Sequence, residues 1–292
     1  MRLSQQAVLL IIRQALREDR ASADLTSRAL IPSSLRVRAR LIAKAPGILS
    51  GGPVAVWAFH AVDPSLRCVL RRRDGQAIRR GQTILTIEGR ARSIFAAERT
   101  ALNLLGHLSG VATLTQAFVR QVRPSRAKIY DTRKTLPGLR TIEKYAVRIG
   151  GGHNHRASLA EAILIKTNHL RTATHDSRLT THDLKTLVLK AKHRYPMKRV
   201  EIEVTNLTEY KAALSAGAES ILLDNWSLPN IRKAMALRRH GSWVMGHGSL
   251  LEVSGGVTLA NVRAIARTGV DRISIGRLTH SAPSLDVSLE VV

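Results

Sequence analysis

Residues able to do chemistry crowd the middle of this 292-residue chain. Gly150-Gly151-Gly152-His153-Asn154-His155-Arg156 puts three glycines, whose backbone can approach a neighbour closely, directly before two histidines, an asparagine and an arginine. Such a run fits a phosphate loop, a metal site or an anion clamp. Asp131-Thr132-Arg133-Lys134 lies upstream and Lys166 downstream. Arg133, Lys134, His155, Arg156 and Lys166 are five cationic groups within 34 residues. On adjacent loops they would repel one another without an anionic ligand. Arginine grips a carboxylate or phosphate with a planar fork, and lysine acts as a point charge. The plainer alternative is a solvated basic face. His153 and His155 lack the cysteine or H-E-x-x-H partners of a zinc site. The triplet His-Asn-His is too short to define a nuclease.

Two further groups stand later in the chain. Glu203 and Asp224 are the carboxylates expected beside Asp131 on the same face. In a cationic site they suggest Mg²⁺ or ribose hydroxyl binding, with two structural ion pairs as the alternative. Ser254-Gly255-Gly256 precedes a helix expected to start near Thr258, whose free N–H groups would attract an anion. Gly276 sits in another small loop. An ordinary glycine turn with an N-cap is the competing reading.

The elements that must position these residues are legible as alternation. From about Ala127, short β-rich runs alternate with helical patterns. The runs are 127–131, 161–166, 199–204, 220–224, 250–254 and 272–276, with helices expected around 139–148, 180–193, 207–216, 228–239 and 258–268. Strand–helix alternation implies a parallel sheet with helical crossovers. Asp131, Lys166, Glu203, Asp224, Ser254 and Gly276 all fall at or near strand C-termini, the face that carries catalysis in a (β/α) barrel. Six strands are visible, short of a closed eight; 242–246 is a further candidate.

Residues 1–110 have an α+β texture. An amphipathic helix opens the chain, with Val8, Ile11, Ile12, Ala15 and Leu16 on one face. Leu35–Ala43 alternates as a strand, 53–62 is helical, and 67–89 reads as short strands around an Asp74-Gly75 turn. A long helix runs from Ser93 to Val122, with Gly110 as a candidate break. The domain division expected is 1–110, with the tail 277–292 joined to it, and a barrel over 111–276.

Composition bounds the function. No run of about 18 apolar residues exists, so no transmembrane helix is expected, and the N-terminus lacks a cleavage site. The single cysteine, Cys68, excludes a disulfide framework and fits a reducing cytoplasm. Net charge is +25, carried by 35 arginines and 11 lysines spread along the chain, densest at Arg71–Arg80. That predicts attraction to polyanions. Aromatics at 3% argue against base-stacking platforms, leaving nucleic-acid affinity incidental.

The segments ERTALNLLGHLSGVAT, DTRKTLPGLRTIEKYAVRIGGGHNHR, LIKTNHL, EIEVTNL, LLDN, LEVSGGV and SIGRLTHSAPSLD together resemble the quinolinate phosphoribosyltransferases, in order from about Glu18 to Leu285. The resemblance implies an α/β protein of the type II phosphoribosyltransferase kind: an N-terminal α+β domain plus an open, incomplete (β/α) barrel, with the C-terminal tail returning to the first domain. It implies an enzyme of NAD biosynthesis that converts quinolinate and phosphoribosyl pyrophosphate, with Mg²⁺, to nicotinate mononucleotide, pyrophosphate and CO₂. It also implies a homodimer or higher oligomer with a site shared across the interface. By motif, Arg99 would reach the neighbouring subunit's quinolinate. Thr132, Arg133, His155 and Arg156 would surround its carboxylates, and Lys134 and Lys166 would bridge the two substrates. Glu203 and Asp224 would hold ribose hydroxyls and Mg²⁺. Ser254, Gly255, Gly256 and Gly276 would cradle the 5-phosphate. Lys134, Lys166, Glu203 and Asp224 are the catalytic set. The chain departs from the family pattern at Ala23, commonly glycine, at Thr167, commonly acidic, and at Arg277, commonly alanine. The competing readings are a molybdenum-transport-associated paralogue of the same fold and a basic nucleic-acid-binding protein.

Overall fold

Alternation along short strands calls for a sheet with two unlike faces, and the computed structural model contains one. It describes residues 3–174, 181–240 and 249–292. The opening helix is α1 (Gln5–Glu18), whose N-cap Ser4 hydroxyl accepts from the Ala7 amide while Val8 and Ile12 are fully buried. After α2 (Leu25–Leu30) come β1 (Arg36–Ala43), β2 (Gly47–Ile48), α3 (Gly52–Val62), β3 (Arg67–Leu70), β4 (Ala77–Ile78) and β5 (Thr83–Arg90). The helix α4 (Ala91–Val122) is continuous through Gly110, so the break expected there does not occur.

The second half alternates as the sequence predicts: β6 (Lys128–Tyr130), α5 (Arg140–Ile149), β7 (Ile163–Ile165), α6 (Thr167–Thr174), α7 (Thr181–Arg194), β8 (Val200–Val204), α8 (Leu207–Ser215), β9 (Ser220–Asp224), α9 (Leu228–His240), β10 (Leu250–Ser254), α10 (Val262–Ala266), β11 (Arg272–Ser274), α11 (Arg277–His280) and β12 (Val287–Val291). All six expected barrel strands form; the candidate at 242–246 lies outside the described residues. They pair in parallel in the order β6-β11-β10-β9-β8-β7, leaving β6 and β7 at the edges of a barrel-like sheet that does not close among the described residues. A lone parallel bridge from Tyr130 to His153 extends the β6 edge by one residue.

Contacts divide the chain into two units: Met1–Gln116 with Lys134–Gly152 and Arg277–Val292, and Ala117–Arg133 with His153–Gly276. In the first, a four-stranded antiparallel sheet runs β12-β1-β5-β3. In the second, the parallel sheet carries Val200, Ile202, Val204, Ile221, Leu223, Leu251, Val253 and Ile273 on one face, all buried. Glu201, Glu203, Ser220, Asp224, Glu252, Ser254, Arg272 and Ser274 alternate with them on the other. Parallel register sets Glu201 beside Ser220 and Glu252 beside Arg272, so polar groups gather on one face of the sheet, with Leu164, Leu222 and Leu250 among them.

Gly110 has a packing role rather than a conformational one. A Cβ there would meet the Pro283 carbonyl oxygen at 2.1 Å, and one at Gly106 would meet the Leu285 oxygen at 2.7 Å. The Leu285 amide donates to the Gly106 carbonyl, and β12 then pairs with β1. The two glycines let the C-terminal segment lie directly on α4. Helix propensity alone predicts that Gly110→Ala stabilises by about 1 kcal/mol; overpacking predicts a net loss of roughly 1–3 kcal/mol. Denaturant unfolding should show the loss, and a gain in stability would mean the tail does not pack there.

Candidate active site

The loop after Gly152 is shaped by one buried carboxylate. Asp131, fully buried just beyond β6, accepts from Asn154 Nδ2 at 2.6 Å and from the His155 amide at 2.8 Å. His153 extends the strand edge, donating its amide to the Ile129 carbonyl at 2.8 Å, and stacks on Tyr130 with ring centroids 5.2 Å apart. Burial, then the charges of Lys128 and Arg272, push its pKa down, so it is a neutral stacking group. The glycines ahead of the loop belong to the first unit. A Cβ at Gly150 would meet the Ala112 carbonyl at 2.4 Å, and one at Gly152 the Thr115 side chain at 2.8 Å. They serve close packing on α4. Thus His153 and Asn154 are structural, and the loop presents His155 and Arg156.

His155 turns onto the polar face of the sheet. Its Nε2 lies 3.1 Å from Glu201 Oε2 and 3.4 Å from Glu252 Oε1. Ser220 Oγ donates to Glu201 at 2.7 Å, and Ser274 Oγ donates to Glu252. Arg272 Nη1 is 3.9 Å from Glu252 Oε2, and its guanidinium lies 5.1 Å from the Tyr130 ring centroid. Burial, then the neighbouring Glu201 charge, pushes Glu252 up to about 7. Burial also opposes ionisation of Glu201, but the His155 and Ser220 hydrogen bonds outweigh it and hold its pKa low. Among the described residues Glu252 Oε2 has no hydrogen-bond partner, which a neutral carboxyl tolerates better than an anion. The ligand atoms of His155, Glu201 and Glu252 lie within 4.8 Å of one another, a spacing that suits a metal. The Ser220 and Ser274 hydroxyls and the His155 N–H already bond three of the four carboxylate oxygens, so the trio is a hydrogen-bonded network.

These two glutamates correct the expectation that Glu203 and Asp224 would join Asp131 as the only carboxylates inside this face. The signal was present in V-E-I-E-V and L-L-E-V-S: Glu201 and Glu252 each stand two residues before a strand-end polar group, hence on the same face.

Arg156 is 9% exposed, with Nη1 donating to the Ala162 carbonyl at 2.9 Å. Burial first, and then the Arg133 charge, lowers its pKa, while Glu201 opposes the shift. Arginine cannot relieve this by losing its proton, so the Arg133–Arg156 pair favours an anion. Thr132 is half-buried and Lys166 exposed. Lys166 Nζ is 3.6 Å from Glu203 Oε2, and the Thr167 amide and hydroxyl approach Glu203 Oε1 at 3.5 Å each. Thr167 thus stands against Glu203 without adding charge.

The ends of β8, β9 and β10 are laced together. Trp226 Nε1 donates to the Val204 carbonyl at 3.0 Å, and the Asn225 amide donates to the Ser254 carbonyl at 2.9 Å. Asn225 Nδ2 also donates to Asp224 Oδ2 at 3.0 Å. Gly255, at φ +83°, leaves 2.2 Å between a would-be Cβ and Asn225 Oδ1, so only glycine fits. The helix expected from Thr258 instead spans Val262–Ala266. Asn261 Oδ1 accepts from the Thr258 amide at 2.8 Å, which shortens the helix and occupies that donor. Gly276 follows β11 and is half-buried. The second unit therefore holds Thr132, Arg133, His155, Arg156, Lys166, Glu203, Asp224, Ser254, Gly255, Gly256 and Gly276. Lys134 and Arg99, both exposed, belong to the first.

Comparisons with known proteins agree along the whole chain. Residues 24–109 match the family model described as quinolinate phosphoribosyl transferase, N-terminal domain, and residues 111–290 match the C-terminal domain. A nicotinate-nucleotide pyrophosphorylase (carboxylating) of Mycobacterium leprae is 41% identical over 283 residues, 96% of this chain and 95% of the relative. The solved nicotinate-nucleotide pyrophosphorylase of Francisella tularensis is 36% identical, with a TM-score of 0.89 over 100% of this chain and 98% of that one. The Ehrlichia chaffeensis structure of the same name is 32% identical, with a TM-score of 0.89 over 100% of both chains.

The buried network predicts a pH signature. An unfolded glutamate takes its proton near 4.5 and folded Glu252 near 7, so the folded state holds the extra proton between those values. Stability therefore falls as pH rises through that window, by about 3 kcal/mol when fully expressed. Glu252→Gln removes the titration, so unfolding free energies should show the variant gaining on wild type from pH 4.5 to 7.5. A constant difference would contradict the raised pKa.

Proposed function

The chain belongs to the quinolinate phosphoribosyltransferase family, and we propose that the polar face of its second unit is the site where phosphoribosyl pyrophosphate meets quinolinate. The reaction forms nicotinate mononucleotide, pyrophosphate and CO₂ in NAD biosynthesis. The observation that carries the site assignment is the buried Arg156 guanidinium, held by the Ala162 carbonyl at 2.9 Å and exposed to the Arg133 charge. Two cations that cannot discharge suit the two carboxylates of quinolinate, with bidentate geometry fixing the ring.

The chemistry assigns each group a task. The pyridine nitrogen attacks C1 of the ribose as the C1–O bond to pyrophosphate breaks, through an oxocarbenium-like state in which positioning and charge stabilisation dominate. The ring becomes cationic; the bond to the 2-carboxylate then breaks, CO₂ leaves, and the electron pair remains beside the ring cation until protonated. No side-chain nucleophile is needed. Arg133 and Arg156, with Thr132 and His155, form the quinolinate end. Lys166 lies between the two substrates, and the chain at Ser254, Gly255, Gly256 and Gly276 receives the 5-phosphate. Glu203 and Asp224 share one face at the ends of adjacent strands and offer only oxygen donors, a fit for ribose hydroxyls and for Mg²⁺, which keeps waters and phosphates as its other ligands. Mg²⁺, when bound, neutralises charge on the pyrophosphate. Arg99, exposed on α4, completes a neighbouring subunit's quinolinate site in a homodimer or higher oligomer.

No helix among the described residues is long and apolar enough to cross a membrane. Burial pushes the free Cys68 thiol up to about 11, leaving it unreactive, and we place the enzyme in the cytoplasm. The test is an assay with quinolinate, phosphoribosyl pyrophosphate and Mg²⁺, with nicotinate as the control acceptor. Quinolinate alone should release CO₂ and form product, and Arg156→Ala should lose roughly 100-fold or more in kcat/KM for quinolinate. Turnover of nicotinate instead would overturn the substrate assignment; an unimpaired Arg156→Ala would overturn the carboxylate clamp.

A further inference from the structure

His155 has its hydrogen-bonding geometry set on both sides. The Arg156 backbone amide, which can only donate, lies 2.9 Å from His155 Nδ1, so that nitrogen is an unprotonated acceptor. On the opposite side Nε2 faces Glu201 at 3.1 Å and Glu252 at 3.4 Å, two buried acceptors that require the proton there. Each carboxylate is itself held from the neighbouring strand, by Ser220 or Ser274. The His155 amide is pinned by Asp131 at 2.8 Å, and the Arg156 guanidinium by the Ala162 carbonyl at 2.9 Å. The ring is a strut running from the floor of the polar face to the backbone of the arginine above it.

We propose that His155 is a positioning residue: a neutral imidazole with its proton on Nε2, braced by Glu201 and Glu252, that fixes the Arg156 backbone and so aims the guanidinium at a substrate carboxylate. The inference rests on the reading of Arg156 as a carboxylate clamp. It differs from a role in which a protonated His155 pairs with the substrate directly. A cation there would give up the Arg156 amide or crowd two guanidinium groups with a third charge. Glu201 and Glu252 are thereby positioning residues too, acting on the reaction through His155.

The tautomer can be read on wild-type protein without any turnover. With ¹⁵N-labelled histidine, and the His155 signals assigned by their absence from His155→Asn, nuclear magnetic resonance at pH 7 should show one protonated and one bare ring nitrogen, unchanged by saturating quinolinate. Protonation of both nitrogens on binding would overturn the proposal. Steady-state kinetics provides the second arm. Asparagine places an oxygen near the Nδ1 position, so His155→Asn should keep the Arg156 anchor and lose no more than about 10-fold in kcat/KM for quinolinate, whereas His155→Ala should lose roughly 100-fold, as a misplaced binding group does. Equal losses would overturn it. Failure of wild type to use quinolinate at all would instead count against the function, leaving the tautomer measurement to stand alone.

Discussion

Three carboxylates with almost no access to water control the second unit. Asp131 and Glu252 are fully buried and Glu201 is 4% exposed. A buried charge costs several kcal/mol unless paired and hydrogen-bonded, so each must recruit partners from the surrounding chain. Asp131 recruits the 153–156 loop. Glu201 and Glu252 recruit His155, two serines and Arg272. The loop can then take essentially one path, and that path fixes where Arg156 emerges. Burying acid beneath the loop thus fixes the backbone that carries Arg156. Where charge cannot be balanced by a donor, the proton supplies the balance, as at Glu252.

The strand pleat makes this possible. Short parallel strands with apolar residues at alternate positions bury one face and free the other for polar groups. Many barrel interiors are filled by branched aliphatic side chains; here Leu164, Leu222 and Leu250 share their face with Glu, Asp, Ser and Arg. Strand ends hold Glu203, Asp224 and Ser254, and positions two residues before Glu203 and Ser254 hold Glu201 and Glu252, which brace His155. Asn225 and Trp226 tie neighbouring strand ends so that Asp224 and Ser254 keep fixed relative positions.

Much of this is legible in sequence. The six strands and their crossovers follow from alternation, and the cationic loop from residue types. What was missed was missed for physical reasons. Glu201 and Glu252 do not stand out in the sequence, because alternation says which residues share a face and not whether that face is closed. Gly110 looked like a helix break because its partner, the Pro283 carbonyl, lies 173 positions away in the chain. The helix near Thr258 looked longer because the Asn261 side chain bonds the Thr258 amide outside it. The three glycines before His153 look like a phosphate loop in sequence, but Gly150 and Gly152 serve close packing and Gly151 takes a left-handed backbone at φ +89°. The arginine excess has a partial structural use: Arg28, Arg92 and Arg126 donate to main-chain carbonyls, and Arg238 pairs with Asp271 at 2.7 Å.

A crystal structure with quinolinate bound tests the central claim most directly, because the claim concerns where a dicarboxylate sits and what holds its arginines. The account predicts the two carboxylates against the Arg156 and Arg133 guanidinium groups, with the His155 ring still spanning the Arg156 amide and the Glu201–Glu252 pair. A His155 ring rotated away from the glutamates to meet the ligand, or quinolinate bound apart from both arginines, would contradict it.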